Sequence, residues 1–326
     1  MVHNTSLEDN QFLQDSGAQY PIICGAMYPC SNPELIAAVA EAGGLPVIQP
    51  LSLTYVHGFE FREGIRAIRK LTAGPLALNL IVEQSVKLYQ KRMEEWLEVA
   101  LDEGIRFVVT ALGDPKWVVQ KVNQAGGIVY HDVTERKYAQ KALSRGARGL
   151  ICVNNRAGGH AGKKSPQELY SELQDLDVPL IQAGGIGCKA DFEQALALGY
   201  QGIQMGTRFI ASKECTAHDD YKSAIIKASA DDIVLTTRVT GVPLAVINTP
   251  FLEKHGKDAG WLARKLLKGH RTKHWMRLYY SLRSVFRLKS SNFRALSTKD
   301  FWQAGKSVQG VTAVSSVREI FDEFVG

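Results

Sequence analysis

Eight short apolar runs alternate with longer amphipathic segments along the first 229 residues of this 326-residue chain. The runs are rich in Val, Ile and Leu, and they lack the strict polar–apolar alternation of a strand with one face in water. Strands covered by helices are buried on both faces and have this composition. We therefore predict strands at 21–24, 45–48, 76–81, 106–109, 127–130, 149–153, 179–182 and 202–205.

The segments between these runs have helical periodicity. Several of them end in glycine, which closes a helix in the left-handed conformation without a steric penalty. Eight strand–helix units in series are what a closed (β/α)8 barrel requires, so we predict the α/β class and the TIM-barrel architecture. The predicted helices are 33–42, 62–71, 86–102, 116–124, 135–144, 167–176, 189–198 and 215–228.

The pattern changes after residue 229. Residues 231–250 are predicted to be extended, residues 253–296 to be helical with a basic face, and residues 316–324 to form a closing helix. We therefore predict a barrel domain made of residues 1–229 and 300–326. Residues 230–299 are predicted to form a small, mainly helical lid or substrate subdomain.

The net charge of +6 comes from one late segment. Residues 259–299 contain eleven Lys or Arg and no Asp or Glu, whereas the remainder holds 28 basic and 33 acidic residues. The basicity is local and no nucleic-acid reader motif accompanies it, so nucleic-acid binding is not predicted. Two interpretations stay open: a solvated cationic face of the lid, or a docking surface for a membrane or an acidic partner.

Cysteine usage and the N-terminus bear on the compartment. The five cysteines include no Cys-x-x-Cys pair, so we predict neither a disulfide framework nor a structural metal site. The first residues lack the basic start and apolar run of a signal peptide, and no apolar stretch reaches ~18 residues. We expect a cytoplasmic protein without a membrane span or a bound metal.

Candidate site residues follow the predicted strands, because active sites of this barrel lie at the carboxyl ends of the strands. After the first strand, Gly25 and Ala26 are small enough for the backbone to approach a flat ring. Asn79 ends the third strand, where its amide could bond the polar edge of a ring ligand. A well-capped structural loop is the alternative interpretation of the first segment.

The loop after the sixth strand, Val153–Gly162, carries a histidine behind paired glycines. Gly158 and Gly159 allow the backbone to fold tightly against a ligand, and they place His160 at the mouth of the barrel. Histidine exchanges a proton near neutral pH, so His160 is the candidate acid–base residue. A flexible loop with a solvated histidine is the alternative. His131, at the end of the fifth strand, is a second candidate at the mouth.

Two glycine-containing loops follow the seventh and eighth strands, at 182–187 and 205–209. Loops in these two places form the usual phosphate site of this barrel. Backbone N–H groups of glycine loops and a helix N-terminus bind a dianion, and Thr207 adds a hydroxyl donor. No P-loop, zinc-protease, nucleophile-elbow or Rossmann fingerprint competes with this interpretation.

Taken in order, these segments resemble the nitronate monooxygenase family, formerly called 2-nitropropane dioxygenases. The similarity runs from about residue 21 to 221, with an echo in DFWQAGKSVQG near the end. The resemblance implies a TIM barrel, non-covalent FMN and a helical insertion over the active site. The matching stretches are PIICGAMYPCSNPELIAAVAEAGG, LALNL, AGGHAG, QAGGIG and GYQGIQMGTRF.

The resemblance also implies a reaction and a role for each matching residue. His160 would remove the α-proton of a neutral nitroalkane; the nitronate would reduce the flavin, and O2 would reoxidise it, giving a carbonyl compound and nitrite. The residues implied to contact FMN are Ala26, Met27 and Asn79 at the ring, Gly158 and Gly159 along the flavin, and Gly184, Gly185, Gly206 and Thr207 at the phosphate.

The chain departs from the family pattern in three places near the predicted site. The first loop reads GAMYPCS where many relatives have a more glycine-rich stretch. Arg156 stands where many members have Glu, shortly before the AGGH stretch. His131-Asp132 stands where some members have a His-Lys pair, whose lysine would lie near the flavin. These departures bear on the reaction more than on the fold or the cofactor.

A second family with the same barrel and a similar GGH segment offers an alternative function. In flavin-dependent enoyl-acyl-carrier-protein reductases NAD(P)H reduces the flavin, and an acidic carrier protein presents the acyl chain. The basic stretch 264–294 could dock such a carrier. The oligomeric state is left open, with a homodimer as one candidate, and so is the physiological small-molecule substrate.

Overall fold

The computed structural model describes residues 9–82, 87–239, 242–258 and 301–326. Its centre is a closed barrel of eight parallel strands, in which each strand pairs with its sequence neighbours and the eighth pairs with the first. The predicted (β/α)8 barrel is therefore confirmed. The strands are β1 (Ile22–Cys24), β2 (Leu45–Ile48), β3 (Ala77–Ile81), β4 (Phe107–Ala111), β5 (Ile128–Val133), β6 (Gly149–Val153), β7 (Leu180–Ala183) and β8 (Gly202–Met205).

Helices surround the barrel close to the predicted positions. The helix predicted at 215–228 is shorter than expected and begins at Asp219, because the His218 side chain accepts a hydrogen bond from the Asp220 N–H and caps it. The helices are α1 (Gln11–Ser16), α2 (Pro33–Glu41), α3 (Phe61–Arg69), α4 (Lys87–Asp102), α5 (Lys116–Gln124), α6 (Arg136–Ser144), α7 (Pro166–Leu173), α8 (Lys189–Leu198), α9 (Thr207–Ile210) and α10 (Asp219–Lys227).

Both faces of the barrel strands are buried, as the apolar runs predict. Ile23, Phe107, Tyr130, Ile151 and Ile181 pack together inside the barrel. The alternate residues of the same strands pack against the helices in two larger clusters. Successive side chains of a strand point to opposite faces, so these clusters define which strand residues point inward.

Helix α1 closes the amino end of the barrel. Phe12 lies edge-on to Phe107 and Tyr130, with ring centroids 6.2 and 6.1 Å apart. The side-chain amide of Asn10 donates to the carbonyl oxygen of Gln201, just before β8, at 2.7 Å. The carboxyl end of the barrel, which we call the mouth, is therefore the end at which a ligand site can form.

The segment after the barrel is partly described. It begins with an antiparallel hairpin of β9 (Ile233–Thr236) and β10 (Leu244–Ile247), followed by the short helix α11 (Pro250–His255). The remainder of the predicted helical lid, including the basic stretch 259–299, lies outside the described residues. The hairpin confirms the prediction that residues 231–250 are extended.

The chain then returns to the barrel. A C-terminal helix, Val317–Val325, packs Ile320, Phe321 and Phe324 into the cluster beneath the surrounding helices. This agrees with the expected return of the tail. Across the described ranges, no helix has the length and apolar character required to cross a bilayer.

Candidate active site

The loops after β6, β7 and β8 lie side by side at the mouth. The strand register pairs Val153 with Ala183, and Ala183 with Gln204. The segments that continue from these residues carry the AGGH, GGIG and MGTR sequences. The fold therefore brings together the three loops that were predicted to hold His160 and a phosphate group.

The β7 loop turns sharply at two glycines. Gly184 and Gly185 have φ angles of +111° and +82°, which residues with a Cβ rarely adopt. A Cβ on Gly184 would lie 2.5 Å from the Asn154 Oδ1 atom, and one on Gly185 would lie 2.6 Å from the Arg156 Nε atom. Glycine is required here because the β6 loop packs directly against the β7 loop.

Four backbone N–H groups of the β7 and β8 loops donate to no acceptor within the described residues: those of Gly185, Ile186, Gly206 and Thr207. Three of these residues are buried, and Gly206 is half-buried. Buried N–H groups are almost always paired, so a cluster without acceptors requires an explanation. Clustered N–H groups of this kind, next to a helix N-terminus, form the usual cradle for a phosphate.

The C-terminal tail contacts this cluster of N–H groups at Thr207, and we call the cluster the candidate phosphate cradle. The Gly305 N–H donates to the Thr207 Oγ1 atom at 3.0 Å, and the Lys306 N–H donates to the Arg156 carbonyl oxygen at 2.9 Å. The tail thus joins the β6 and β8 loops. Because the Thr207 oxygen accepts this bond, its hydroxyl proton remains available for a ligand oxygen.

The His160 loop is held by its backbone. The Gly159 carbonyl oxygen accepts a hydrogen bond from the Ala245 N–H of β10 at 2.7 Å. A Cβ on Gly158 would lie 2.9 Å from the Gly305 nitrogen, so the tail passes close to this glycine. The His160 side chain is exposed. The predicted base is therefore accessible to a small molecule and lies on a fixed loop.

Polar side chains from other strands point into the mouth. Asn79 is buried on the inward face of β3, four strands away from β7 and thus across the barrel from the candidate phosphate cradle. Gln204 on β8 and Asp132 on β5 also lie on the inward faces of their strands, because their register partners Ala183 and Ile151 belong to the interior cluster. A flat ligand anchored at β7 and β8 would extend over these groups.

The loop after β1 lies beside the candidate phosphate cradle. A Cβ on Gly206 would lie 3.4 Å from the Met27 Sδ atom. The Met27 N–H donates to the Ser31 Oγ atom at 2.9 Å, and the Met27 carbonyl oxygen accepts from the Ser52 hydroxyl at 3.2 Å. Ala26 is half-buried and packs against the interior cluster. Both predicted residues of this loop thus lie at the mouth.

The structure corrects the expected position of His131. This residue lies on the same face of β5 as Val129 and Val133, which pack against the surrounding helices. Its Nδ1 atom lies 2.8 Å from the Thr110 Oγ1 atom, and burial lowers the pKa of His131 to about 4. His131 therefore does not point into the mouth.

Three residues of the mouth escaped the sequence-based prediction as site residues. Asp132 was noted only as a departure from a family pattern, although it is the β5 residue that points inward. Gln303 of the tail donates to the Tyr28 carbonyl oxygen at 3.5 Å and lies against Gly159. Ala245 holds the His160 loop. No alternation in the β5 sequence identifies Asp132 as an inward residue, and the positions of Gln303 and Ala245 depend on contacts between distant parts of the chain.

The residues at the mouth fit a phosphate-bearing flat cofactor such as a flavin nucleotide. The N–H groups that lack acceptors within the described residues, and the Thr207 hydroxyl, suit a dianion. Ala26, Met27 and Asn79 offer a partly polar surface for a ring. In the described part of the chain, no group of three His, Cys, Asp or Glu side chains is arranged to hold a metal ion.

Comparison with known proteins shows the family to which the chain belongs. Residues 10–325 match the family model for nitronate monooxygenase. A (3aS,4S,5R,7aS)-5-hydroxy-7a-methyl-1-oxo-octahydro-1H-indene-4-carboxyl-CoA dehydrogenase of Rhodococcus jostii is 29% identical over 76% of this chain and 69% of its own length. A Staphylococcus saprophyticus protein named "probable nitronate monooxygenase" is 28% identical over 72% of this chain and 78% of its own.

Solved structures share the fold across nearly the whole chain. FabK from Thermotoga maritima superposes with a TM-score of 0.80 at 26% identity, over 97% of this chain and 94% of its own. A nitroalkane oxidase from Streptomyces ansochromogenes superposes with a TM-score of 0.71 at 21% identity, over 96% of each chain. The second likeness concerns the fold.

Proposed function

The chain belongs to the nitronate monooxygenase family and is an oxidoreductase, and we propose that it uses FMN to oxidise alkyl nitronates and nitroalkanes with O2 to carbonyl compounds and nitrite. One observation carries the proposal: the buried N–H groups of Gly185, Ile186 and Thr207, which lack acceptors within the described residues, adjoin the loop that bears His160. This arrangement suits a phosphate anchor beside a proton acceptor.

The phosphate of FMN would accept hydrogen bonds from the N–H groups of the β7 and β8 loops and from the Thr207 hydroxyl. Hydrogen bonds to an ionised acceptor contribute about 1.5–3 kcal/mol each, so two or three of them would account for tight binding of a dianion. The ring would extend toward Asn79, with Met27 beside the β8 loop.

His160 would act as the general base. The nitro group acidifies the α-proton of a nitroalkane, and an imidazole is the side chain suited to accept a proton in the neutral range. The pinned backbone of Gly159 would keep the imidazole over the mouth. When bound, the flavin supplies the electron acceptor that O2 regenerates.

The primary test is a single-turnover reduction. Protein loaded with FMN and mixed anaerobically with propyl-2-nitronate should lose the visible absorbance of the oxidised flavin, and retention of the colour would remove this substrate class. The variant His160→Asn should lose activity on neutral nitroalkanes far more than on nitronates, because only the former require a base. His131→Gln is the matched control and should leave both activities unchanged.

The alternative substrate class is an acyl thioester. The Rhodococcus jostii relative is named as a carboxyl-CoA dehydrogenase, and this name favours an acyl-CoA substrate. The NAD(P)H-dependent reduction of carrier-bound enoyl groups is the other reaction of this substrate class. A thioester carbonyl acidifies an α-proton as a nitro group does, so His160 would keep its role. Rapid flavin reduction by NADH or NADPH, or by an acyl-CoA, together with inertness toward nitronates, would establish this alternative.

The remaining expectations on setting are also proposals. No disulfide joins any of the five cysteines, all of which lie in the described residues. This supports our proposal that the enzyme works in the reducing cytoplasm. Residues 230–299 would form a lid over the mouth, since the β10 strand already contacts Gly159. A homodimer remains one candidate assembly.

A further inference from the structure

Asp132 lies on the inner side of the barrel near the carboxyl end of β5. On this strand, Tyr130 belongs to the interior cluster, whereas Val129 and Val133 pack against the helices. Because strand side chains alternate, Asp132 shares the inward face of Tyr130, one step nearer the mouth. Its side chain is half-buried, so part of it is reachable from the mouth.

The surroundings of Asp132 favour its neutral form. Its Oδ1 atom is buried and has no hydrogen-bond partner within the described residues. A buried carboxylate without donors is costly, and this desolvation raises the pKa of Asp132 to about 7. The side chain is therefore balanced between acid and carboxylate at physiological pH.

Few titratable groups face Asp132 from the elements packed around it. The inward residues of β4 and β6 are apolar. Ile151 of β6 is the register partner of Asp132. His131 and Cys152 point toward the helices, and the Tyr130 hydroxyl donates to Asp15, on the helix that closes the amino end. The charged groups that the neighbouring loops bring to the same end of the barrel are Asp114, Arg156, His160, Lys163 and Lys164.

A carboxylic acid donates a hydrogen bond, whereas a carboxylate only accepts. We propose that Asp132 is a specificity-determining residue of the mouth: as a neutral acid it donates a hydrogen bond to an acceptor oxygen of the molecule bound over the barrel, and as a carboxylate it repels that oxygen. The inference rests on the proposed function. Such an oxygen could belong to a flavin carbonyl group, or to the nitro or carbonyl group of the substrate.

The proposed hydrogen bond would assist proton removal by His160. As the α-proton leaves, negative charge collects on the oxygens of the nitro or carbonyl group. A neutral acid aimed at those oxygens stabilises the charge without giving up its own proton. Asp132 would thus complement His160, with one group removing the proton and the other holding the resulting oxyanion.

The experiment compares ligand affinity with pH in wild type, Asp132→Asn and Asp132→Ala. Two probes separate the sources of the oxygen: FMN added to the apoprotein, and 2-methyl-2-nitropropane, which has no α-proton, added to the FMN-loaded protein. If a probe accepts a hydrogen bond from Asp132, the affinity of the wild-type protein for that probe should fall about tenfold per pH unit above pH 7. The Asp132→Asn variant donates a hydrogen bond at every pH, so its affinity should stay high. The Asp132→Ala variant donates none, so its affinity should be low at every pH.

His131→Gln is the matched control, because it replaces the adjacent titratable residue, which lies on the face of β5 that packs against the helices. The pH dependence of its affinity for both probes should match that of the wild type. If Asp132→Asn retains the wild-type pH dependence with both probes, the inference is overturned. Infrared spectra of the apoprotein give a readout without flavin: wild type should show a carboxylic-acid C=O band that titrates near pH 7 and is absent from Asp132→Asn. Lack of that band overturns the inference, whereas refusal of FMN with the band intact overturns the proposed function.

Discussion

Substitution of Gly187 by alanine would test the contact between the β7 loop and the C-terminal tail. A Cβ at this position would lie 2.2 Å from the Ser307 carbonyl oxygen and 2.9 Å from the Gly310 Cα atom. Both are backbone atoms, so neither can swing aside as a side chain does. In a close-packed interior such atoms lie at van der Waals separation, so the tail or the loop must move by about 1 Å to accommodate the added Cβ.

The expected cost can be estimated from what this movement disturbs. Overpacking of a close-packed site costs about 1–3 kcal/mol. The tail is fixed by the bonds from Gly305 to Thr207 and from Lys306 to Arg156, and weakening them adds about 1 kcal/mol each. We therefore expect a loss of about 3–5 kcal/mol in the free energy of unfolding, which corresponds to about 4–7 °C in Tm for a chain of 326 residues.

Thermal unfolding followed by circular dichroism, with and without FMN, would measure this effect. Gly187→Ala should lower Tm by the stated amount and weaken FMN binding, because the moved tail also positions Thr207. The matched control is Gly104→Ala, whose Cβ would meet nothing within 4 Å and whose φ of +82° adds only backbone strain, about 1–2 kcal/mol. Wild-type Tm and FMN affinity in Gly187→Ala, or a larger loss in Gly104→Ala, would refute the reasoning.

Two further predictions concern single buried groups. Thr207→Val removes the acceptor of the buried Gly305 N–H and should cost about 1–3 kcal/mol while lowering the affinity for FMN; Thr207→Ser should restore both, and equal FMN affinities in the two variants would contradict this. His131 has a folded-state pKa of about 4, below its unfolded value, so the unfolded chain binds more protons and stability should decline as pH falls from about 6.5 toward 4. His131→Gln should flatten that decline in chemical unfolding curves, and an unchanged slope would contradict the assigned burial.

The barrel was predictable because its strands and helices are local patterns. Apolar runs such as Leu45–Ile48 and Gly149–Val153 coincide with the observed strands. The orientation of individual strand residues was not predictable in the same way. Since both faces of β5 are buried, its sequence carries no alternation to show that Asp132 points inward and His131 outward. The prediction therefore chose the wrong member of this pair for the mouth.

The sequence singled out the loops after β7 and β8 as a candidate phosphate site, but the role expected for their glycines differs from the one in the structure. Their glycines were expected to let the backbone approach a ligand, yet the space beside Gly184 and Gly185 is filled by the β6 loop. The candidate anion site is indicated by N–H groups that have no acceptor in the described part of the chain, and not by the absence of side chains. Contacts such as Gly305 with Thr207 join residues nearly a hundred positions apart, and no local pattern encodes such a pairing.

The most direct measurement compares the affinities of the apoprotein for FMN and riboflavin, which differ only in the phosphate group. If the amides at the ends of β7 and β8 grip a dianion, two charge-assisted bonds of about 1.5 kcal/mol each should make FMN bind at least ~100-fold more tightly. Fluorescence quenching titrations would give both constants. Equal affinity for the two flavins, or binding of neither, would contradict the account.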